Sequence, residues 1–162
     1  GRGASGVRGI RLKKQNDAVV GMGVIKSDKE KLITASGHRI CGTSGIPPSH
    51  KINISGGKKY QVLTIMEQGF GKRSKIDYYK VQGRGGSGIK TAKVTTKTGR
   101  LTNAFIVNME TMAEKDLIII SEKGQVIRLP FKSVKESARD TQGVHLMRFK
   151  EADDHVAGVT WT

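Results

Sequence analysis

The residues best suited to chemistry are an arginine set among glycines. In Gly83-Arg84-Gly85-Gly86-Ser87-Gly88-Ile89-Lys90, three glycines follow one guanidinium within four positions. Glycine lets a backbone approach a phosphate closely and turn its N–H groups toward it. Arginine donates two parallel hydrogen bonds to the same anion. Arg84, Gly85, Gly86 and Lys90 therefore form a candidate phosphate cradle. The arginine recurs as Arg2, with Arg8 downstream, and as Arg139 in Arg139-Asp140-Thr141-Gln142-Gly143. A second basic feature is the pair Lys72-Arg73, expected to project together from a strand start after Gly69-Phe70-Gly71. Arg128 repeats that position. Lys80 and Lys93 flank the glycine loop, and Lys75, Lys97 and Arg100 extend the basic track.

Other chemistries fit less well. Gly83-x-Gly85-x-x-Gly88 satisfies the dinucleotide fingerprint, which demands a helix next. Here Thr91 to Thr96 follows, which reads as a strand, and no acidic residue stands some twenty positions on. Ile89 replaces the lysine of a phosphate-binding P-loop. His38, Cys41 and His50 lack a fourth ligand and the usual cysteine pairs of a zinc site. Glu151, Asp153 and Asp154 have no second acidic cluster and read as a turn. No Ser-His-Asp order is convincing, and no catalytic residue, bound metal or cofactor is expected in this chain.

Charge supports an anionic partner. The 162 residues carry 29 Lys and Arg against 14 Asp and Glu, a formal +15. That balance points to a polyanion, most often nucleic acid. Residues 57–107 hold 11 basic and 2 acidic groups, whereas residues 108–162 hold 8 and 9. The middle of the chain is the expected anion-facing surface. Aromatic residues are 5 %, too sparse for a base-stacking platform, which favours duplex backbone over single strands. The longest apolar runs, such as Leu117 to Ile120, are far short of a membrane span. A single cysteine suggests a reducing cytoplasm. A start at Gly1, inside a glycine-rich motif, reads as a piece of something longer.

These residues sit in a repeat. Leu63 to Gly69 matches Ile118 to Gly124 at an offset of 55, and Arg73, Lys80, Arg84 and Gly88 then meet Arg128, Lys135, Arg139 and Gly143. Gly1 to Val7 matches Gly83 to Ile89 at an offset of 82. The extra 27 residues read as an insertion within one repeat. The organisation expected is therefore the end of one blade at 1–26, an insertion at 27–59, a second blade at 60–107 and a last blade at 108–162. Strands are expected at 62–66, 101–107, 116–120, 126–129 and 156–161, short, β-branched and bounded by Gly, Asn, Asp or Ser. Glu67-Gln68-Gly69, Lys97-Thr98-Gly99 and Glu122-Lys123-Gly124 read as hairpin turns. A repeat of about 50 residues and four strands is an all-β, propeller-like blade, which needs neighbours to bury its faces.

Taken in series, Gly69-Phe70-Gly71-Lys72-Arg73, Tyr79 to Ile89, Leu117 to Pro130 and Arg139 to Val144 resemble the C-terminal domains of the A-type subunits of DNA gyrase and topoisomerase IV. The resemblance fails over residues 27–59. It implies a β-pinwheel, a disc whose blades exchange strands and whose basic rim wraps double-stranded DNA without catalysis. Its implied partners are the ATPase B subunit of the holoenzyme together with the remainder of the A subunit. ATP and magnesium would be used elsewhere in that holoenzyme, in the bacterial cytoplasm at the nucleoid. The family's glycine-rich signature box is incomplete here, because Gly83 and Ser87 stand where it carries basic residues. The sequence alone leaves open gyrase or topoisomerase IV, and also a protein-interaction propeller that binds an acidic partner.

Overall fold

The structure is a computed structural model describing residues 2–12, 15, 17–23, 25 and 59–162. The insertion expected at 27–59, with His38, Cys41 and His50, lies outside the described residues apart from Lys59. The chain forms β1 (Tyr60–Met66), β2 (Phe70–Lys75), β3 (Leu101–Asn108), a short helix α1 (Met109–Met112), β4 (Asp116–Ser121), β5 (Val126–Pro130), β6 (Val144–His145) and β7 (Val156–Trp161). The five expected strands are all present, each within two residues of its expected bounds.

The repeat holds at the level of hydrogen-bond register. β1 and β2 pair antiparallel with Leu63 opposite Arg73 and Ile65 opposite Gly71. Fifty-five residues later, β4 and β5 place Ile118 opposite Arg128 and Ile120 opposite Val126. The outer pairings also superpose, Val62 facing Ile106 and Leu117 facing Trp161. Each carries a bulge at the same place, between Ile65 and Met66 and between Ile120 and Ser121. A bulge bends and further twists its strand, so both sheets curl alike.

Strand exchange ties the repeats together. One sheet runs β3-β1-β2-β6, and β6 comes from the following repeat. The second runs β5-β4-β7. One core fills the space between them: Leu63 and Ile65 from β1, Leu117 and Ile119 from β4, and Phe131, Val134 and Met147 are all at most 1 % exposed. Ile118 and Ile120 occupy the repeat positions of Leu63 and Ile65, yet Ile120 is 38 % and the neighbouring Val126 59 % exposed. The segment that covers β1 and β2 belongs to the next repeat, and among the described residues nothing plays that part for β4 and β5.

The strand expected to start after the Gly69 turn is Phe70–Lys75, and its outer edge is paired by residues 135–137 and 144–145. One expectation needs correction: Thr91 to Thr96 is not a strand. Its backbone is used in an isolated bridge between Thr95 and Gly99 and in a bond from Lys93 N–H to the Thr141 carbonyl.

The turn glycines Gly69 (φ 73°) and Gly124 (φ 83°) are repeat equivalents in the left-handed region. A side chain at Gly69 would run into the Met147 carbonyl, whereas the space around Gly124 is open. Gly124→Ala should therefore cost about 1 kcal/mol, the conformational penalty alone. Gly69→Ala should cost at least twice that by thermal melting. Equal losses would show that β6 is not seated as described.

Candidate nucleic-acid interface

The basic pair on β2 does not project together. Adjacent strand residues point to opposite faces, and both faces here are covered. Lys72 is 1 % exposed. Its ammonium donates to the carbonyl of Ala138 (2.7 Å), to that of Arg139 and to Thr141 Oγ1 (3.1 Å). Burial pushes its pKa down to about 8, with the Asp140 charge opposing and Arg139 adding. Arg73 donates from Nε to the Val134 carbonyl (2.7 Å) and from Nη1 to Gln61 Oε1 (3.2 Å), and its guanidinium lies 5.3 Å from the Phe131 ring centroid. Burial lowers its pKa too, against the pull of Glu136, though an arginine keeps its charge. Lys72 and Arg73 hold the exchanged segment onto β2. They are structural cations, contrary to the expectation that they form an exposed pair.

The glycine loop is likewise committed in part. Gly85 (φ 73°) donates its N–H to the Gly9 carbonyl (2.8 Å), and Arg11 N–H reaches the Gly86 carbonyl (2.8 Å). The expected nest therefore does not offer the Gly85 N–H to a phosphate. It joins the loop to the preceding repeat. Arg139, the loop arginine of the last repeat, donates from Nη1 to the Lys90 carbonyl (2.6 Å), and the Lys90 ammonium pairs with Asp140 (3.1 Å).

The remaining cations divide into two sets. Among the paired ones, Arg128 meets Asp116 (2.6 Å), Lys132 meets Glu114 (2.8 Å), Lys75 meets Glu136 (3.3 Å) and Lys59 meets Glu110 (2.8 Å). Lys123 reaches Asp153 (2.5 Å) and Glu151 (2.6 Å), whose hydrogen bonds hold the ammonium above its ordinary pKa. The pair Arg128–Asp116 is the repeat equivalent of Arg73–Gln61, with a carboxylate in place of the amide. The second set is exposed and has no ion-pair partner among the described residues. It includes Lys80, Arg84, Lys93, Lys97 and Arg100, together with Arg2, Arg8 and Arg11 in the first segment and Lys135, Arg148 and Lys150 in the last repeat. The loop-to-loop bonds at Gly9, Arg11, Gly85 and Gly86 bring the stretches 2–11 and 80–100 side by side. Arg11 is not singled out by the sequence reading, although the 82-residue offset aligns it with Lys93.

Paired antiparallel sheets, a fixed repeat and an exchanged strand define a blade array of propeller type. The family described as "DNA gyrase C-terminal domain, beta-propeller" matches residues 1–26, 61–108 and 115–160, and the chain belongs to that family. The A subunit of DNA gyrase from Staphylococcus epidermidis is 32 % identical over 148 residues, 91 % of this chain and 13 % of the relative. Its counterpart from Mycolicibacterium smegmatis is 32 % identical over 157 residues, 97 % of this chain and 14 % of the relative. The chain thus spans about a seventh of these relatives. A solved DNA gyrase A C-terminal domain superposes with a TM-score of 0.55 at 21 % identity, covering 63 % of this chain and 33 % of that one. The C-terminal domain of a DNA topoisomerase IV gives 0.55 at 14 %, covering 64 % and 31 %. These two likenesses confirm the all-β blade architecture. No helix among the described residues is long and apolar enough to cross a membrane.

Proposed function

We propose that this chain is a non-catalytic DNA-binding and DNA-wrapping module of a type IIA topoisomerase, of the gyrase A kind. The observation that carries the reading is the division of its cations. Carboxylates of the last repeat pair with Lys59, Lys75, Lys90, Lys123, Arg128 and Lys132, and of the cations in that repeat Lys135, Arg148 and Lys150 stay exposed without an ion pair. Lys80, Arg84, Lys93, Lys97, Arg100, Arg2, Arg8 and Arg11 stand exposed along two adjoining stretches, with no ion-pair partner among the described residues. Such a track attracts a polyanion and releases its counterions. Contacts of this kind go to phosphates, so they position the duplex and carry little sequence preference. Bending 20–30 bp by 40–90° costs on the order of 1–6 kcal/mol, which a handful of charge-assisted contacts offsets.

In this reading the duplex touches the segments 2–11 and 80–100, and Lys72, Arg73, Arg128 and Arg139 serve the fold. Strand cleavage and ATP hydrolysis, with their magnesium, belong to the B subunit in the cytoplasm or to the remainder of the A subunit. The identity to two gyrase A proteins favours gyrase over topoisomerase IV. Filter binding of unrelated duplexes at two salt concentrations tests the proposal. Steep, sequence-independent salt dependence is expected. Absence of binding at low salt would favour a protein-interaction propeller with an acidic partner.

A further inference from the structure

Residues 138–141 of the last repeat form a wedge between two parts of the repeat before it. On one side the buried Lys72 of β2 holds the carbonyls of Ala138 and Arg139. On the other side the same four residues reach segment 90–93 three times. Arg139 Nη1 donates to the Lys90 carbonyl at 2.6 Å, Asp140 Oδ1 meets the Lys90 ammonium at 3.1 Å, and the Thr141 carbonyl accepts from Lys93 N–H at 3.1 Å.

The junction one repeat earlier shares its backbone bond. Arg11 N–H donates to the Gly86 carbonyl, and Arg11 and Lys93, like Gly86 and Thr141, are equivalent under the two sequence offsets. There the reinforcement is a second backbone bond, from Gly85 to the Gly9 carbonyl, and glycines stand where the later junction has Asp140 and Thr141. Of the two junctions, only that between 90–93 and 138–141 is braced by charged side chains among the described residues, and charge-assisted hydrogen bonds are shorter and stronger than neutral ones.

We propose that Arg139 and Asp140 are positioning residues that fix the angle between successive repeats, and thereby the curvature imposed on a bound duplex, without touching it. The inference rests on the DNA-wrapping reading. A lost brace leaves the cation track intact but lets one sheet rock against the next, so binding persists while the bend relaxes.

The test compares the chain with its Arg139→Met/Asp140→Asn and Arg139→Lys variants. It uses a duplex of about 30 bp labelled at both ends, the length over which bending is measurable. Energy transfer at saturating protein reports the bend, titration at several salt concentrations reports contacts, and thermal melting reports folding. The double variant should bind within about threefold of the parent with an unchanged salt slope, while energy transfer falls toward that of free duplex. Arg139→Lys, which restores a single donor and keeps the charge, should recover most of the bend. A salt slope lower by about one unit in the double variant would make Arg139 a phosphate ligand and overturn the proposal. So would an unchanged bend in a folded variant. If the double variant melts below the working temperature, Arg139→Lys decides alone: a bend and slope identical to the parent support the clamp, and a lost bend overturns it. A parent chain that does not bind duplex at all removes the DNA reading itself, a result visible before any variant is compared.

Discussion

Replacing Arg84, Lys93, Lys97 and Arg100 with alanine is expected to weaken duplex binding about a thousandfold at 0.1 M salt. If each residue neutralises one phosphate, the salt slope falls by roughly 3–4 units, at about 0.9 per contact, and that slope acts over the decade between 1 M and 0.1 M. The control is a quadruple alanine variant at Lys75, Lys123, Arg128 and Lys132. It removes the same four charges from the chain, but each of these cations already faces a carboxylate 2.5–3.3 Å away. Its loss should stay within about tenfold, because surface pairs release few counterions and are worth little. Total charge is identical in the two variants, so the comparison isolates placement. Equal losses would mean that the duplex follows net charge and that no track exists.

The same division of cations marks what was legible in the sequence. Charge counts by segment point to the run of unpaired cations between 80 and 100, where acidic residues are absent, but not to Lys135, Arg148 and Lys150, which stay unpaired although acidic residues are abundant after 108. The repeat offset yields the strand partners, because Leu63 and Ile118 sit in the same register only if whole sheets recur. What the offset could not supply was environment. Arg73 and Arg128 are equivalent in sequence, yet one lies under Phe131 and Val134 and the other is exposed beside Asp116. The difference comes from the following repeat, which covers β2 and has no counterpart over β5 among the described residues. Lys72 departs from expectation for a related reason. A lysine next to an arginine after a glycine turn reads as solvated, and only the three-dimensional return of residues 138–141 turns it into a buried donor. The glycine loop departs in a subtler way. Its conformational freedom is real, since Gly85 and Gly88 both have positive φ, but at Gly85 that freedom serves a junction between repeats.

Lys72 gives the second large effect. Lys72→Ala should destabilise the fold by about 3–5 kcal/mol, since it empties the volume of a fully buried stem and strips the Arg139 carbonyl of the ammonium it accepts from. Lys72→Met keeps the stem and loses only the donor, so about 1–3 kcal/mol is expected. The Ala138 carbonyl suffers less, because Thr141 Oγ1 also donates to it at 2.8 Å. The pH profile separates this residue from ordinary packing. With a pKa of about 8 in the fold against 10.5 for the free side chain, the folded state binds fewer protons than the unfolded state between those values. Stability from this group is therefore fully present above pH 10.5, and it is lost as pH falls through 8. The melting temperature of the parent chain should rise relative to Lys72→Met between about pH 8 and pH 10, while other lysines and tyrosines titrate in both proteins and cancel. Parallel curves across that window would show that the ammonium keeps its ordinary pKa and that Lys72 is not held out of water by the returning segment.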